Sequence, residues 1–403
     1  MSTHPMTTRC RLCNQMIQAM PLSLGSLPVC NAFDRNRSTT RTIDLDIIEC
    51  ETCQLVQLGR VAAPELLMPA VPWIRYREPE GHLDDLVASL LSLHPGARRA
   101  CGTGPFEQPL LSRLDARGLQ TQALTLETTA PAGRHPYLES WQAILNADHL
   151  AAATARSGTF DLVSCRYIVE HSPAPVLALR AMRHLLAPDG LLLVEVPDSS
   201  KFLAACDYCF LWEEHSSYFV EPTLRRLAEM SGYHVVSLLR YPGALEDALV
   251  AILQPAMSPT AMISPLGSTG LFQTYRQAFA GRRETVQSRL RAAARPDGDG
   301  VALFGIGHHA IMFVNAFGVG NRIALAVDDD SDKAGFFPPG FEVPVVGSDR
   351  LLADEHVTLC LFAVAPHIEG KVRAKLAPLA ARGVEFRSIY AALDNAIFKD
   401  NAP

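Results

Sequence analysis

The sequence predicts an α/β protein with two parallel-sheet domains behind a small cysteine-rich module. Three observations lead there. Two Cys-x-x-Cys pairs stand within the first 53 residues, short apolar strands alternate with helical segments from Arg98 to Val196, and the alternation restarts at Val301. Such alternation builds parallel sheets covered by helices on both faces. At 403 residues the chain exceeds one typical core, so two or three domains are expected.

In the N-terminal module, Cys10 and Cys13 form one pair and Cys50 and Cys53 the other, with 36 residues between them. A tight turn under each pair aims two sulfurs at one point, and two turns complete a tetrahedron around Zn²⁺. Four thiolates leave no position for substrate, so the zinc expected here is structural. Cys30, Cys101, Cys165 and Cys360 are expected as small buried hydrophobes. Cys206 and Cys209 form a third pair with no fourth pair nearby, and no metal is expected there.

Pro64 to Pro79 is rich in proline and suits a connector. Leu83–Leu93 has helical apolar spacing. Strands are expected at Arg98–Cys101, Ala123–Leu126, Phe160–Cys165 and Leu191–Val196, with a helix over Val176–Leu186. Residues 256–299 look helical and basic, a bridge to a C-terminal sheet. That sheet is expected to contain Val301–Gly305, Ile323–Val327, Leu359–Ala363 and Val384–Ile389, with a helix around Ala310–Phe317. The expected domains are therefore 1–68, 69–255 and 300–403, with 256–299 as connector.

Composition narrows the partners. The chain is 48% apolar and 19% charged, as in ordinary globular proteins, and its net charge is −6. That balance gives no broad electrostatic reason to expect nucleic acid or an anionic membrane. No apolar run approaches the ~20 residues that span a bilayer. The first residues lack the pattern of a signal peptide, so a cytoplasmic protein acting on a small molecule is expected.

Ligands of open parallel sheets sit beyond the carboxyl ends of the strands. Three such ends stand out in the middle domain. Gly102-Thr103-Gly104 would let a ligand approach the backbone closely, or is an ordinary strand–helix turn. Glu127 could accept hydrogen bonds from ribose hydroxyls. Tyr167, Glu170 and His171 follow the strand at Phe160. Further on, Trp212-Glu213-Glu214-His215-Ser216-Ser217-Tyr218-Phe219 gathers two acids, an imidazole and a phenol. His215 can take a proton near neutrality, and Glu214 could orient it. The same run could be a polar surface loop anchored by Trp212 and Phe219. His308 and His309 fit pocket-lining or capping roles better than a shared metal, because adjacent residues at a helix start point apart. Asp328-Asp329-Asp330 suits a solvated strand end.

Phe160-Asp161, Glu170-His171, Leu186-Ala187-Pro188-Asp189-Gly190 and Leu191–Val196 occur in an order that resembles the class I S-adenosylmethionine-dependent methyltransferase fold. Over nearly its full length the chain is similar to the sugar C-methyltransferases, a family of three-part chains. Its zinc module matches from Cys10-Arg11-Leu12-Cys13 through Asn31 and Phe33 to Cys53. Its middle domain matches at Glu195-Val196-Pro197 and Glu214–Phe219. Gly305-Ile306-Gly307, Val327-Asp328 and Lys333-Ala334-Gly335 match a Rossmann-like C-terminal domain.

The resemblance implies S-adenosylmethionine held by Gly102, Thr103, Gly104, Glu127, Tyr167, Glu170 and His171, and a nucleotide-linked keto sugar as substrate. His215 carries over as the base that forms an enolate for methylation, with Glu214 and Tyr218 in the site. The chain departs from the family at Ala100, where an acid is usual, at Trp212, where a tyrosine is usual, and at His308-His309. Two other readings follow from those departures: a binding or assembly protein on the same scaffold, or an isomerase or lyase using His215 without methyl transfer.

Overall fold

Polar and apolar residues alternate along the first strands, so the N-terminal module forms small antiparallel sheets with one face covered. The computed structural model describes residues 5–36, 41–67, 78–124, 145–256, 269–294 and 300–399. β1 (Met6–Arg9) pairs with β2 (Met16–Ala19), and β3 (Leu22–Pro28), β4 (Thr42–Glu49) and β5 (Val56–Leu58) make a second sheet.

The centre of the middle sheet follows from runs that are apolar on both faces. β6 (Arg99–Gly102), β7 (Gln120–Ala123), β8 (Phe160–Arg166) and β9 (Leu186–Asp198) run parallel. β10 (Ser217–Tyr218) leaves this sheet and pairs with β5 of the first module. β11 (Tyr233–Tyr241) and β12 (Asp247–Pro255) complete the order β11-β12-β9-β8-β6-β7, with β12 antiparallel to both neighbours. Leu83, Leu86, Val87 and Leu90 lie on one helical stripe and cover one face beside Leu110, Leu111 and Leu114. Leu179, Met182, Leu224 and Leu227 cover the other.

Local differences from the sequence reading have physical reasons. The second strand ends at Ala123, earlier than expected, and residues 125–126 lie outside the described ones. The helix over 176–186 runs Pro175–Met182 and tightens into a 3₁₀ turn at Arg183–Leu185. The Leu186–Gly190 turn is a bulge within β9, where the pairing jumps from Phe160 with Leu186 to Leu162 with Leu191. A Cβ on Gly190 would lie 2.9 Å from the Phe160 carbonyl oxygen.

The C-terminal sheet is wholly parallel: β13 (Val301–Phe304), β14 (Leu325–Val327), β15 (Val345–Val346), β16 (Leu359–Phe362) and β17 (Glu385–Ser388), in the order β15-β14-β13-β16-β17. The 23-residue helix Leu271–Ala293 links it to the middle domain. Tyr208 Oη donates to the Tyr275 carbonyl at 2.6 Å, and Tyr275 Oη donates to the Asp207 carbonyl at 2.9 Å. The Asp207 carboxylate accepts the amide of Ala391 at 2.7 Å. One apolar cluster runs from Leu22 and Leu45 through Phe202 and Phe210 to Phe313, Phe317 and Ile389, so the three parts share a core.

A buried ion pair crosses the middle sheet. Arg166 Nε donates to Glu195 Oε2 at 2.5 Å, and His82 Nε2 lies 2.9 Å from Oε1. Arg166 also donates to the carbonyls of Phe106 and Pro79. Taking away one partner strands the other charge in the core, at a cost of about 3–5 kcal/mol. Glu195→Ala should show a loss of that size in equilibrium urea unfolding; a change under about 1 kcal/mol would deny the pair its role.

Candidate active site

The four cysteines meet. Each pair sits on the same turn: the Asn14 and Gln54 amides donate to the carbonyls of Cys10 and Cys50, with Asn14 and Gln54 themselves left-handed at φ 59° and 61°. Sγ of Cys10 lies 3.4 Å from that of Cys53, and Sγ of Cys13 lies 3.6 Å from that of Cys50. A tetrahedron of Zn–S bonds has edges of about 3.8 Å, so the cluster is close to its metal-bound size. All four are buried, and four sulfurs this close cannot all ionise without a cation among them.

The zinc module reaches directly into the loop after Trp212. Ser217 and Tyr218 pair with Gln57 and Val56, and the Leu58 amide donates to the Ser216 carbonyl at 3.1 Å. The Arg11 guanidinium also donates to that carbonyl, at 3.2 Å. Asn31 Nδ2 donates to Glu214 Oε1 at 3.0 Å, and the Cys30 amide donates to Glu213 Oε1 at 2.6 Å. Glu213 and Glu214 are both buried. Tyr218 Oη accepts from the Trp212 amide at 2.9 Å and donates to the Trp212 carbonyl at 3.1 Å, clasping the loop. That hydroxyl is committed to the backbone of its own loop.

His215 is half-buried where the three parts converge. The ring of His171 stands perpendicular to it at a centroid separation of 4.5 Å, and Trp212 lies 5.1 Å away. From the C-terminal domain, His308 stacks on Trp212 at 4.2 Å, and its Nε2 lies 3.2 Å from the Leu211 carbonyl. His309 Nδ1 meets Tyr390 Oη at 3.0 Å. Thus His308 and His309 line the junction. Burial, with His309 nearby, brings the His215 pKa down to about 3, and burial brings His309 to about 4. His215 is therefore neutral at any ordinary working pH. The acidic run after β14 is tied into the C-terminal fold more closely than expected: Asp328 accepts from the Ile306 amide and from Lys333 Nζ, and Asp329 from Lys375 Nζ.

At the carboxyl edge of β6 the glycines face the chain itself. A Cβ on Gly102 would come within 2.4 Å of Glu107 Cβ, and one on Gly104 within 2.4 Å of Ile168 Cδ1. Thr103 Oγ1 donates to the Ser164 carbonyl. Glu107, fully buried beneath the turn, accepts from Ser164 Oγ at 2.5 Å and from the Arg166 amide at 2.8 Å. Beyond β8, Tyr167 takes a left-handed φ of 53°, a strain typical of functional turns. Tyr167 Oη, Glu170 Oε2 and His171 Nδ1 are buried with no hydrogen-bond partner among the described residues. Glu127 lies outside the described residues.

Residues 10–67 match a family model described as "Putative zinc binding domain", residues 100–238 one described as "Methyltransferase domain", and residues 265–389 one described as "C-methyltransferase C-terminal domain". The chain carries these three domains in order and is a C-methyltransferase. It is 27% identical over 393 residues to the C-methyltransferase NovU of Streptomyces niveus, covering 89% of this chain and 90% of that protein. A ubiquinone biosynthesis O-methyltransferase of Xanthomonas campestris pv. campestris (strain B100) is 37% identical over 119 residues, 27% of this chain and 46% of that one. Among solved structures, a 1,6-didemethyltoxoflavin-N1-methyltransferase of Burkholderia thailandensis aligns with 18% identity and a TM-score of 0.30, over 44% of this chain and 79% of that one.

The cofactor of this C-methyltransferase is S-adenosylmethionine. The unpartnered atoms of Tyr167, Glu170 and His171 fit a polar ligand at the edge of β8, and at Gly102 and Gly104 the space a side chain would take is occupied by Glu107 and Ile168. The zinc module fits its ion through the four sulfurs. No helix of the described residues is long and apolar enough to cross a membrane.

Missed by the sequence reading were Asn31 and Glu107 as neighbours of the site, together with Tyr390 beside His309. Nothing local marks these contacts, since Asn31 and Glu214 are 183 residues apart.

Cys50→Ala should lower zinc measured by atomic absorption by one ion per chain. Because the module pairs with β10, methyl transfer should fall with it. Full zinc retention would contradict the assignment.

Burial raises the Glu107 pKa to about 7, against 4.5 for the exposed group. The folded state therefore holds its proton longer than the unfolded chain, and stability falls as pH rises from about 4.5 to 7. Relative to Glu107→Gln, the native protein should lose up to roughly 3 kcal/mol across that window. Parallel melting curves at several pH values check this, and a gap independent of pH would refute it.

Proposed function

We propose that the protein methylates a carbon next to the carbonyl of a small metabolite, a nucleotide-linked keto sugar, with His215 as the base. The supporting observation is His215 itself. It is a neutral, half-buried imidazole among residues of the methyltransferase and C-terminal domains, beside a Glu214 tied to the zinc module.

His215 takes the α-proton through its free nitrogen lone pair, leaving the electron pair of the broken C–H bond on the enolate. Bound S-adenosylmethionine supplies a methyl group on a positive sulfonium and leaves as the neutral thioether S-adenosylhomocysteine. The enolate's negative charge stabilises the imidazolium next to it, offsetting the burial that otherwise keeps His215 weakly basic. Asn31 and the β10 pairing fix Glu214 and His215 in place, so little reorganisation accompanies proton transfer. His308 stacks on Trp212 from the C-terminal side and narrows the junction against water.

The extension from C-methyltransferase to a keto sugar rests on His215 and on the resemblance of the Glu214–Phe219 run to the sugar C-methyltransferases. Glu107 under the glycine turn favours a second reading, in which His215 enolises a bound ketone without methyl transfer.

His215→Asn should lower methyl transfer at least a thousandfold, while calorimetric affinity for S-adenosylhomocysteine changes less than threefold. Incubation of the native protein with a keto sugar nucleotide in heavy water separates the readings. Methylated product supports the first, and deuterium uptake alone supports the second. A His215→Asn variant that still methylates normally would refute the base assignment.

A further inference from the structure

Glu170, His171 and His215 bring one ligating atom each to within 4.8 Å of one another. Glu170 and His171 lie on the 3₁₀ turn after β8, and His215 comes from the loop held by the zinc module. Glu170 is 2% exposed and His171 4%, and Glu170 Oε2 and His171 Nδ1 have no hydrogen-bond partner among the described residues. Unsatisfied polar atoms in a protein interior are costly unless a hydrogen-bond partner or a cation lies beside them.

Features of the surroundings suit a cation. The His171 ring interacts with the Glu214 backbone, leaving Nδ1 as its unpartnered nitrogen. Anchoring of the far ring nitrogen by a backbone group is the usual support of a metal-bound imidazole. Three further acidic side chains, Glu78, Glu195 and Glu246, lie within electrostatic reach of Glu170, of which Glu195 is already paired with Arg166 and His82. The Ser216 hydroxyl donates to the Glu170 carbonyl at 3.0 Å, so the two segments carrying the ligands are tied together. Bonds of about 2.0–2.1 Å require ligand atoms roughly 3.4 Å apart, so each moves inward by at most about 0.8 Å.

We propose that Glu170, His171 and His215 form a second metal site, separate from the four cysteines, that binds one divalent cation of the zinc, cobalt and nickel class. Two imidazoles and one carboxylate suit such borderline ions, and three protein ligands leave positions open for water or a carbonyl oxygen. The bound cation takes the lone pair of His215 and so halts proton transfer. This second statement rests on His215 as the base, whereas cation binding does not.

The test starts from full-length protein with zinc already filling the four-cysteine site, to which Co²⁺ is added. The expected result is one further cobalt per chain by equilibrium dialysis, with weak visible absorption and no sulfur-to-metal charge-transfer band. Anomalous scattering from a cobalt-soaked crystal should place the ion against Glu170, His171 and His215. Glu170→Gln and His171→Asn, checked for native melting, should each weaken cobalt binding at least tenfold. Absence of a second cobalt, or its anomalous peak elsewhere, overturns the site even if a variant fails to fold. Methyl transfer should fall at least tenfold as cobalt saturates and return on chelation. Unchanged turnover with cobalt in place overturns the inhibitory role alone, and a protein inactive under all conditions still reports the stoichiometry.

Discussion

The short ladder between β10 and β5 is the constraint on which the rest depends. It is only two residues long on each strand, yet it places His215. A loop of this kind would otherwise sample many conformations, at an entropic cost of about 1–2 kcal/mol for each residue ordered. The ladder is reinforced by Arg11 on the Ser216 carbonyl, by Cys30 and Asn31 on the two glutamates, and by the Tyr218 clasp. The metal enters the chemistry only by holding a surface rigid. It fixes Arg11 and the end of β4, and β4 carries β5.

The middle and C-terminal domains meet around the same loop. Leu211 faces His308, Trp212 stacks on it, and Phe210 packs against His309. Asp207 and Tyr208 bind the other end of the segment to Ala391 and to the helix Leu271–Ala293. The residues from Asp207 to Tyr218 are thus held at one end by Ala391 of the C-terminal domain and the helix Leu271–Ala293, and at the other by the zinc module. Histidines packed this tightly lose their protonated forms to desolvation, which keeps lone pairs available for a proton or a metal.

Much of this was legible in the sequence where a single segment decides its own structure. The cysteine pairs specify their turns because four sulfurs have few other ways to be satisfied. The central strands are continuous apolar runs, so their existence was clear even where their ends shifted. The glycine turn was less legible. Gly102 and Gly104 resemble a ligand cradle, but their missing side chains make room for Glu107 and Ile168, which only the folded packing reveals. Tyr218 was grouped with the reactive residues by proximity in sequence, whereas its hydroxyl serves the loop backbone. The contacts of Glu213 and Glu214 link residues 183 positions apart and leave no periodic trace.

A strand shared between modules also limits how such chains recombine. Exchanging the first 68 residues for those of a relative would replace half of a ladder whose other half carries the imidazole, so register and acid contacts would have to be inherited together. Cutting the module away would expose Ser217 and Tyr218 as an unpaired edge, open to pairing with another chain. Domain shuffling in this architecture is therefore expected to tolerate breakpoints near the helix at 271 far better than any junction separating Val56 from Tyr218.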